Sequence, residues 1–86
     1  EKRLVSVDDN PIKLTYKEFE LLYYFFKNQG IVLTRDSIMN EIWGFDFRGE
    51  TRTVDVHIGT LRQKLGDRGK IIKTIRNVGY KVGEDL

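Results

Sequence analysis

The sequence predicts an α+β fold in which a strand pair, three helices and a C-terminal β-hairpin follow one another along the chain. Three observations carry this. Residues 3–14 alternate apolar and polar side chains around a turn cluster, and three apolar blocks of helical period each begin near a capping residue and end near glycine. The last segment is β-branched and folds about a central turn.

In order, "RLVSV" (Arg3 to Val7), "DDNP" and "IKL" (Ile12 to Leu14) read as a platform hairpin over 3–14. Thr15 then stands three residues before Glu18, the capping-box spacing in which each side chain satisfies the other's backbone N–H. The helix that starts there, about 16–28, places Phe19, Leu22, Tyr23 and Phe26 on one stripe, flanked by Leu21 and Phe25, with Gly30 as its stop. A second helix at 35–43 takes Thr34 as N-cap, turns Ile38, Ile42 and Trp43 inward and stops at Gly44. "FDFRGE" has no helical period and reads as a loop before a third helix at 52–65, closed by Gly66. Beyond the polar turn "DRGK", "IIKTI", "RNVG" and "YKV" form a basic hairpin over about 71–82, with Asn77 and Gly79 available for positive φ.

Composition bounds the function. Eighty-six residues make one domain, 33% of them are charged, and no apolar run is long enough to span a bilayer, so no membrane role is expected. The chain has no cysteine, which removes disulfides and thiolate chemistry, and no signal-like segment, so a cytoplasmic, cytosolic location is the expectation. It opens on Glu1, as a piece of a longer protein would. Net charge is +2, yet residues 1–47 carry six Lys/Arg against eight Asp/Glu and residues 48–86 carry nine against five. Basic charge gathered in one half attracts polyanions, nucleic acid first among them.

The third helix, "TRTVDVHIGTLRQKLG", separates two faces. At 100° per residue, Val54, Ile58, Leu61 and Leu65 fall within roughly 60° of one another and read as core. The opposite face collects Arg52, Val56, Gly59, Thr60 and Gln63, a set suited to entering a groove. His57 lies on one flank near Lys64, and Asp55 and Arg62 share the other, where a carboxylate–guanidinium pair within or between helices is expected. Gly59 costs about 0.8–1 kcal/mol relative to alanine in a helix interior, so it is either a tolerated weak spot or a point where backbone approaches another surface. His57 has no cysteine or second histidine to share a metal with, and the only serines, Ser6 and Ser37, lie in other elements. No metal or cofactor is expected. A solvated flank position and a phosphate or base contact remain open for it.

The blocks "LT...E..LL", "NQGIVLTRDSIMNEIWG", "RTVDVHIGTLRQKLG" and "IKTIRNVGYKV" resemble, in order and over residues 12–82, the effector domain of OmpR/PhoB-type bacterial response regulators. That resemblance implies a winged helix-turn-helix: antiparallel platform strands, a three-helix core and a β-hairpin wing. It implies sequence-specific binding of double-stranded promoter DNA at direct repeats, with the third helix in the major groove and the wing, 73–80, at the minor groove. By the resemblance Arg52, Val56, His57, Gly59 and Thr60 meet the DNA, Gln63 sharing their face. Trp43, Arg62, Thr74 and Tyr80 match positions that touch its backbone, and Arg76 matches a wing arginine of the minor groove. For Trp43 and Tyr80 core filling is the competing role, and a buried ring with its polar tip at the DNA satisfies both. Phe45, Asp46, Phe47 and Arg48 correspond to a loop facing RNA polymerase, and the chain's own receiver domain is expected upstream, outside the sequence.

Three departures qualify the likeness. Gly59 and Thr60 stand where some relatives carry arginine, so affinity is expected to lean on phosphates, and specificity on thymine methyls and groove shape. Asn77 replaces the usual wing glycine, and the platform lacks its first strand or two. Two other readings make different demands. A winged-helix protein-interaction module without nucleic-acid binding needs neither Arg52 nor a basic wing, and an enzyme needs a nucleophile, paired carboxylates or a ligand cluster at usable spacing.

Overall fold

The computed structural model describes residues 2–7, 10–44 and 50–83. Strand β1 (Lys2–Val7) pairs antiparallel with β2 (Asn10–Thr15), with Val5 opposite Ile12 and Leu4 opposite Lys13. Helix α1 (Tyr16–Lys27) starts on the capping box: the Thr15 N–H donates to Glu18 Oε1 at 2.9 Å and the Glu18 N–H to Thr15 Oγ1 at 3.2 Å. The helix ends one residue before the expected boundary. Asn28 caps it, its Nδ2 donating to the Tyr24 carbonyl at 2.8 Å, and Gly30 takes φ 80° in the turn beyond.

The buried stripe of α1 differs from the expected one. Glu18, Leu21, Leu22 and Phe25 are buried, whereas Tyr23 and Phe26 are exposed and Phe19 is only half-buried. Apolar residues run almost around this helix, so period alone admits two stripes one residue apart. Leu14 at the end of β2, fully buried, belongs to the same core as Leu21 and Phe25, and that tertiary fit decides which stripe turns inward.

A two-residue strand, β3 (Leu33–Thr34), leads into α2 (Arg35–Trp43). Thr34 caps α2 by accepting from the Ser37 N–H at 3.1 Å, and Gly44 ends it at φ 94°. Helix α3 (Arg52–Leu65) follows, with Val54, Ile58, Leu61 and Leu65 buried. The polar turn expected at "DRGK" is a 3-10 turn over Gly66–Ile71, and it delivers the chain to β4 (Ile72–Ile75) and β5 (Gly79–Val82). These two strands pair with each other, and β5 also pairs with β3, giving the sheet order β3-β5-β4. Asn77 holds the hairpin turn at φ 66°, a left-handed conformation that asparagine tolerates.

Gly79 is required by close approach. A Cβ there would lie 2.0 Å from the Leu33 carbonyl oxygen, so only glycine lets β5 pass beside β3. The wing is thereby tied to the entrance of α2. Leu14, Leu21, Phe25, Ile38, Val54, Ile58, Leu61 and Ile72 fill the space between helices and sheets, which makes the fold the α+β winged arrangement. No described helix is long and apolar enough to cross a membrane.

Candidate nucleic-acid interface

The core stripe of α3 fixes the rotation of the helix, and therefore which residues point outward. Arg52 and Gln63 are exposed, Val56 is 57% exposed, and Thr60 is partly exposed. At Gly59 an added Cβ would meet nothing within 4 Å, so packing inside the protein does not account for the glycine. Thr60 Oγ1 donates to the Val56 carbonyl at 3.1 Å. Its hydroxyl proton is used within the helix, and what it offers outward is a methyl group and acceptor lone pairs. This face combines one long cation, apolar surface, bare backbone and one amide.

His57 packs against Trp43 at the end of α2, ring centroids 4.9 Å apart and edge-to-face at 75°. Its Nδ1 lies 3.0 Å from the Thr53 carbonyl oxygen. A carbonyl only accepts, so this contact assigns the proton to Nδ1 and leaves Nε2 as the open nitrogen. Lys17 completes the corner: its Nζ donates to the Ile42 carbonyl at 2.6 Å, capping α2, and lies 5.8 Å from the Trp43 ring centroid. Lys64, expected beside His57, instead donates to Glu18 at 2.6 Å. Its reach is toward α1 because the buried Glu18 carboxylate needs a cation there.

On the other flank the carboxylate–guanidinium pair takes the between-helices form, Asp55 of α3 with Arg35 of α2, and not an intrahelical pair with Arg62. Asp55 Oδ1 accepts from Arg35 Nε at 2.8 Å and from the Tyr80 hydroxyl at 2.5 Å. Arg62 turns to the wing, its Nε and Nη2 donating to the Ile72 carbonyl at 3.2 and 2.5 Å and Nη2 also to Thr74 Oγ1 at 2.8 Å. Seven residues are two helical turns, too far for Asp55 and Arg62 when nearer partners flank each. Burial pushes the Asp55 carboxyl up, but the hydrogen bonds from Tyr80 and Arg35 outweigh it and hold it below the usual range. Burial, then the bond to the Asp55 carboxylate, pushes the Tyr80 phenol up, and the Asp55 bond also raises Arg35. The Tyr80 residue is 5% exposed and its hydroxyl is directed to Asp55.

The wing carries Lys73, Thr74, Arg76 and Val78 as exposed side chains. Thus Trp43, Arg52, Val56, His57, Gly59, Thr60, Gln63, Arg62, Thr74, Tyr80 and Arg76 fall on α3, its two flanks and the adjoining wing. Phe45, Asp46, Phe47 and Arg48 lie outside the described residues. Sequence reading did not single out Lys17 or Arg35, whose partners are 25 and 20 residues away. Among the described residues no group of three or more His, Cys, Asp or Glu is placed to hold a metal ion.

The family described as "Transcriptional regulatory protein, C terminal" matches residues 9–82. The chain is 49% identical over 79 residues to the alkaline phosphatase synthesis transcriptional regulatory protein PhoP of Bacillus subtilis, covering 88% of this chain and 33% of that protein. It is 48% identical over 82 residues to the regulatory protein VanRB of Enterococcus faecalis, covering 95% and 36%. The chain thus spans about a third of the length of these relatives. Among solved structures it superimposes on the DNA-binding domain of Bacillus subtilis CssR with a TM-score of 0.80 at 32% identity, covering 95% of this chain and 99% of that one. For the Klebsiella pneumoniae RstA DNA-binding domain in complex with the RstA box the TM-score is 0.82 at 32% identity, covering 94% and 83%. Together, the match to the family and the winged architecture show that the chain belongs to the C-terminal domains of transcriptional regulatory proteins, the DNA-binding effector domains of OmpR/PhoB-type response regulators.

Proposed function

We propose that this domain binds promoter DNA sequence-specifically with α3 in the major groove and the β4–β5 wing at the adjacent minor groove. The observation that carries the reading is the outward face of α3. Arg52, Val56, Gly59 and Gln63 are exposed on a helix whose opposite face is fully committed to the core, and the basic wing adjoins it. The likeness to a domain solved in complex with its DNA box supports the same placement. Arg52, Arg62 and Arg76 would neutralise phosphates or enter the minor groove. Val56, Gly59 and Thr60 would contact base edges and thymine methyls, with His57 and Gln63 beside them. Trp43, Thr74 and Tyr80 would border the backbone.

In the full-length protein a receiver domain upstream would control this one, and binding would occur at direct repeats from a cytoplasmic location. Phe45, Asp46, Phe47 and Arg48 would contact RNA polymerase, in which case alanine substitutions there lower transcription and leave promoter affinity intact. A protein-interaction role without nucleic acid has no specific observation in its favour. Selection of bound sites from random duplex DNA, repeated with Arg52→Ala, Thr60→Ala and Arg76→Ala, tests the assignment. Wild type should enrich one motif and each variant should degrade it at a different position; no enrichment by wild type contradicts the reading.

A further inference from the structure

We propose that Arg35, at the start of α2, is a further phosphate contact and that Asp55 and Tyr80 are the residues that position it. The inference rests on the reading of α3 and the wing as the DNA-binding face. Arg35 sits where three elements meet. Its backbone N–H reaches the Val78 carbonyl of the wing turn at 3.4 Å, and its Nε reaches Asp55 of α3 at 2.8 Å. Its guanidinium carbon lies 5.5 Å from the Tyr80 ring centroid. The Arg62 guanidinium carbon lies at the same distance, 5.5 Å, from the same ring.

Both guanidinium groups are anchored within the protein through Nε. Arg62 commits Nε and Nη2 to Ile72 and Thr74. Arg35 commits Nε to Asp55. Arg35 also bonds the Tyr80 side chain, and because a guanidinium carries five N–H donors in a fixed fork, each cation keeps donors that fit a phosphate. Both cations lie over the Tyr80 ring, whose π-system lowers the cost of bringing them together.

Asp55 gives the inference its sharpest consequence. A carboxylate beside a polyanion is repulsive, and at 40% side-chain exposure this one faces solvent. Its Oδ1 is nonetheless engaged by two donors, from α2 and from the wing. The geometry makes it an anchor that aims a cation outward. Simple electrostatics therefore predicts tighter DNA binding when Asp55 is removed, whereas positioning predicts weaker binding.

The test measures the affinity of the chain, as a function of KCl concentration, for a duplex recovered from random-sequence selection and for a scrambled duplex. Arg35→Ala should weaken binding to both by about tenfold and reduce the log–log salt slope by about 0.9, one phosphate. Arg35→Lys should restore only part of this, because an ammonium cannot hold Asp55 and a phosphate along separate edges. Asp55→Ala and Tyr80→Phe should each weaken binding, the second without any change of charge. An unchanged slope in Arg35→Ala, or tighter binding by Asp55→Ala, overturns the proposal. If Asp55→Ala does not fold, Tyr80→Phe and Arg35→Lys decide, and wild-type affinity for either partner overturns it. Failure of the wild-type chain to bind any duplex sinks the DNA-binding reading itself, a separate outcome.

Discussion

Lys64 Nζ lies 2.6 Å from Glu18 Oε1 and joins the C-terminal end of α3 to the first turn of α1. Glu18 is 3% exposed, so its charge is held inside the protein by Lys64 and by the Thr15 N–H of the capping box. The pair ties the helix that forms the outward face to the capped start of α1.

Burial pushes the Glu18 carboxyl up, but the Lys64 hydrogen bond and the Thr15 N–H outweigh it, and the net shift is downward from an ordinary value near 4.5. A depressed folded pKa stabilises the fold above the unfolded value, and that contribution is lost as pH falls through the folded one. Stability from this group should therefore be complete above about pH 4.5 and decline below it. Lys64→Met should cost about 1–2 kcal/mol at pH 7, less than a fully buried pair because Lys64 is partly exposed. Urea unfolding across pH 3–7 checks this: the gap between variant and wild type should narrow as Glu18 protonates, and a constant gap would contradict the pairing.

Gly59→Ala separates folding from binding. With open space around the added methyl group, the substitution should stabilise the free domain by about 0.5–1 kcal/mol. Thermal unfolding should show Tm rising by about 3–8 °C. If backbone approach to DNA is the role of this position, affinity for selected DNA falls despite the gain. Affinity that stays level or rises with stability would return Gly59 to a tolerated weak spot.

Gly79→Ala should act in the opposite sense. Overlap with the Leu33 carbonyl forces β3 and β5 apart, at a cost of roughly 3 kcal/mol. Denaturation midpoints report the size, and amide exchange at β5 locates it. A variant as stable as wild type would mean that the strands pass each other differently.

Local grammar made the helices legible. Thr15 with Glu18, and Thr34, marked two starts, and Gly44 and Gly66 marked two ends, because capping acts within a few residues. The two faces of α3 were legible from period alone. Strand β3 was not, since two residues are too few to show alternation, and its pairing with Tyr80 and Gly79 is made across the fold. The same limit hid the partners of Asp55: neither Arg35 nor Tyr80 is near it in sequence, so an interhelical pair was legible without its cation being named. Tyr23 and Phe26 misled for the converse reason, an apolar period on a helix whose tertiary neighbours lie on the adjacent stripe.

The most direct measurement of the central claim is a titration of the isotope-labelled chain with a selected duplex, followed amide by amide in NMR spectra. The account predicts the largest perturbations at Arg52, Val56, His57, Gly59, Thr60 and Gln63 on α3 and at Thr74 and Arg76 on the wing, with Tyr23 and Phe26 on the outer side of α1 unmoved. Perturbations confined to α1, or spectra unchanged along α3, would contradict it.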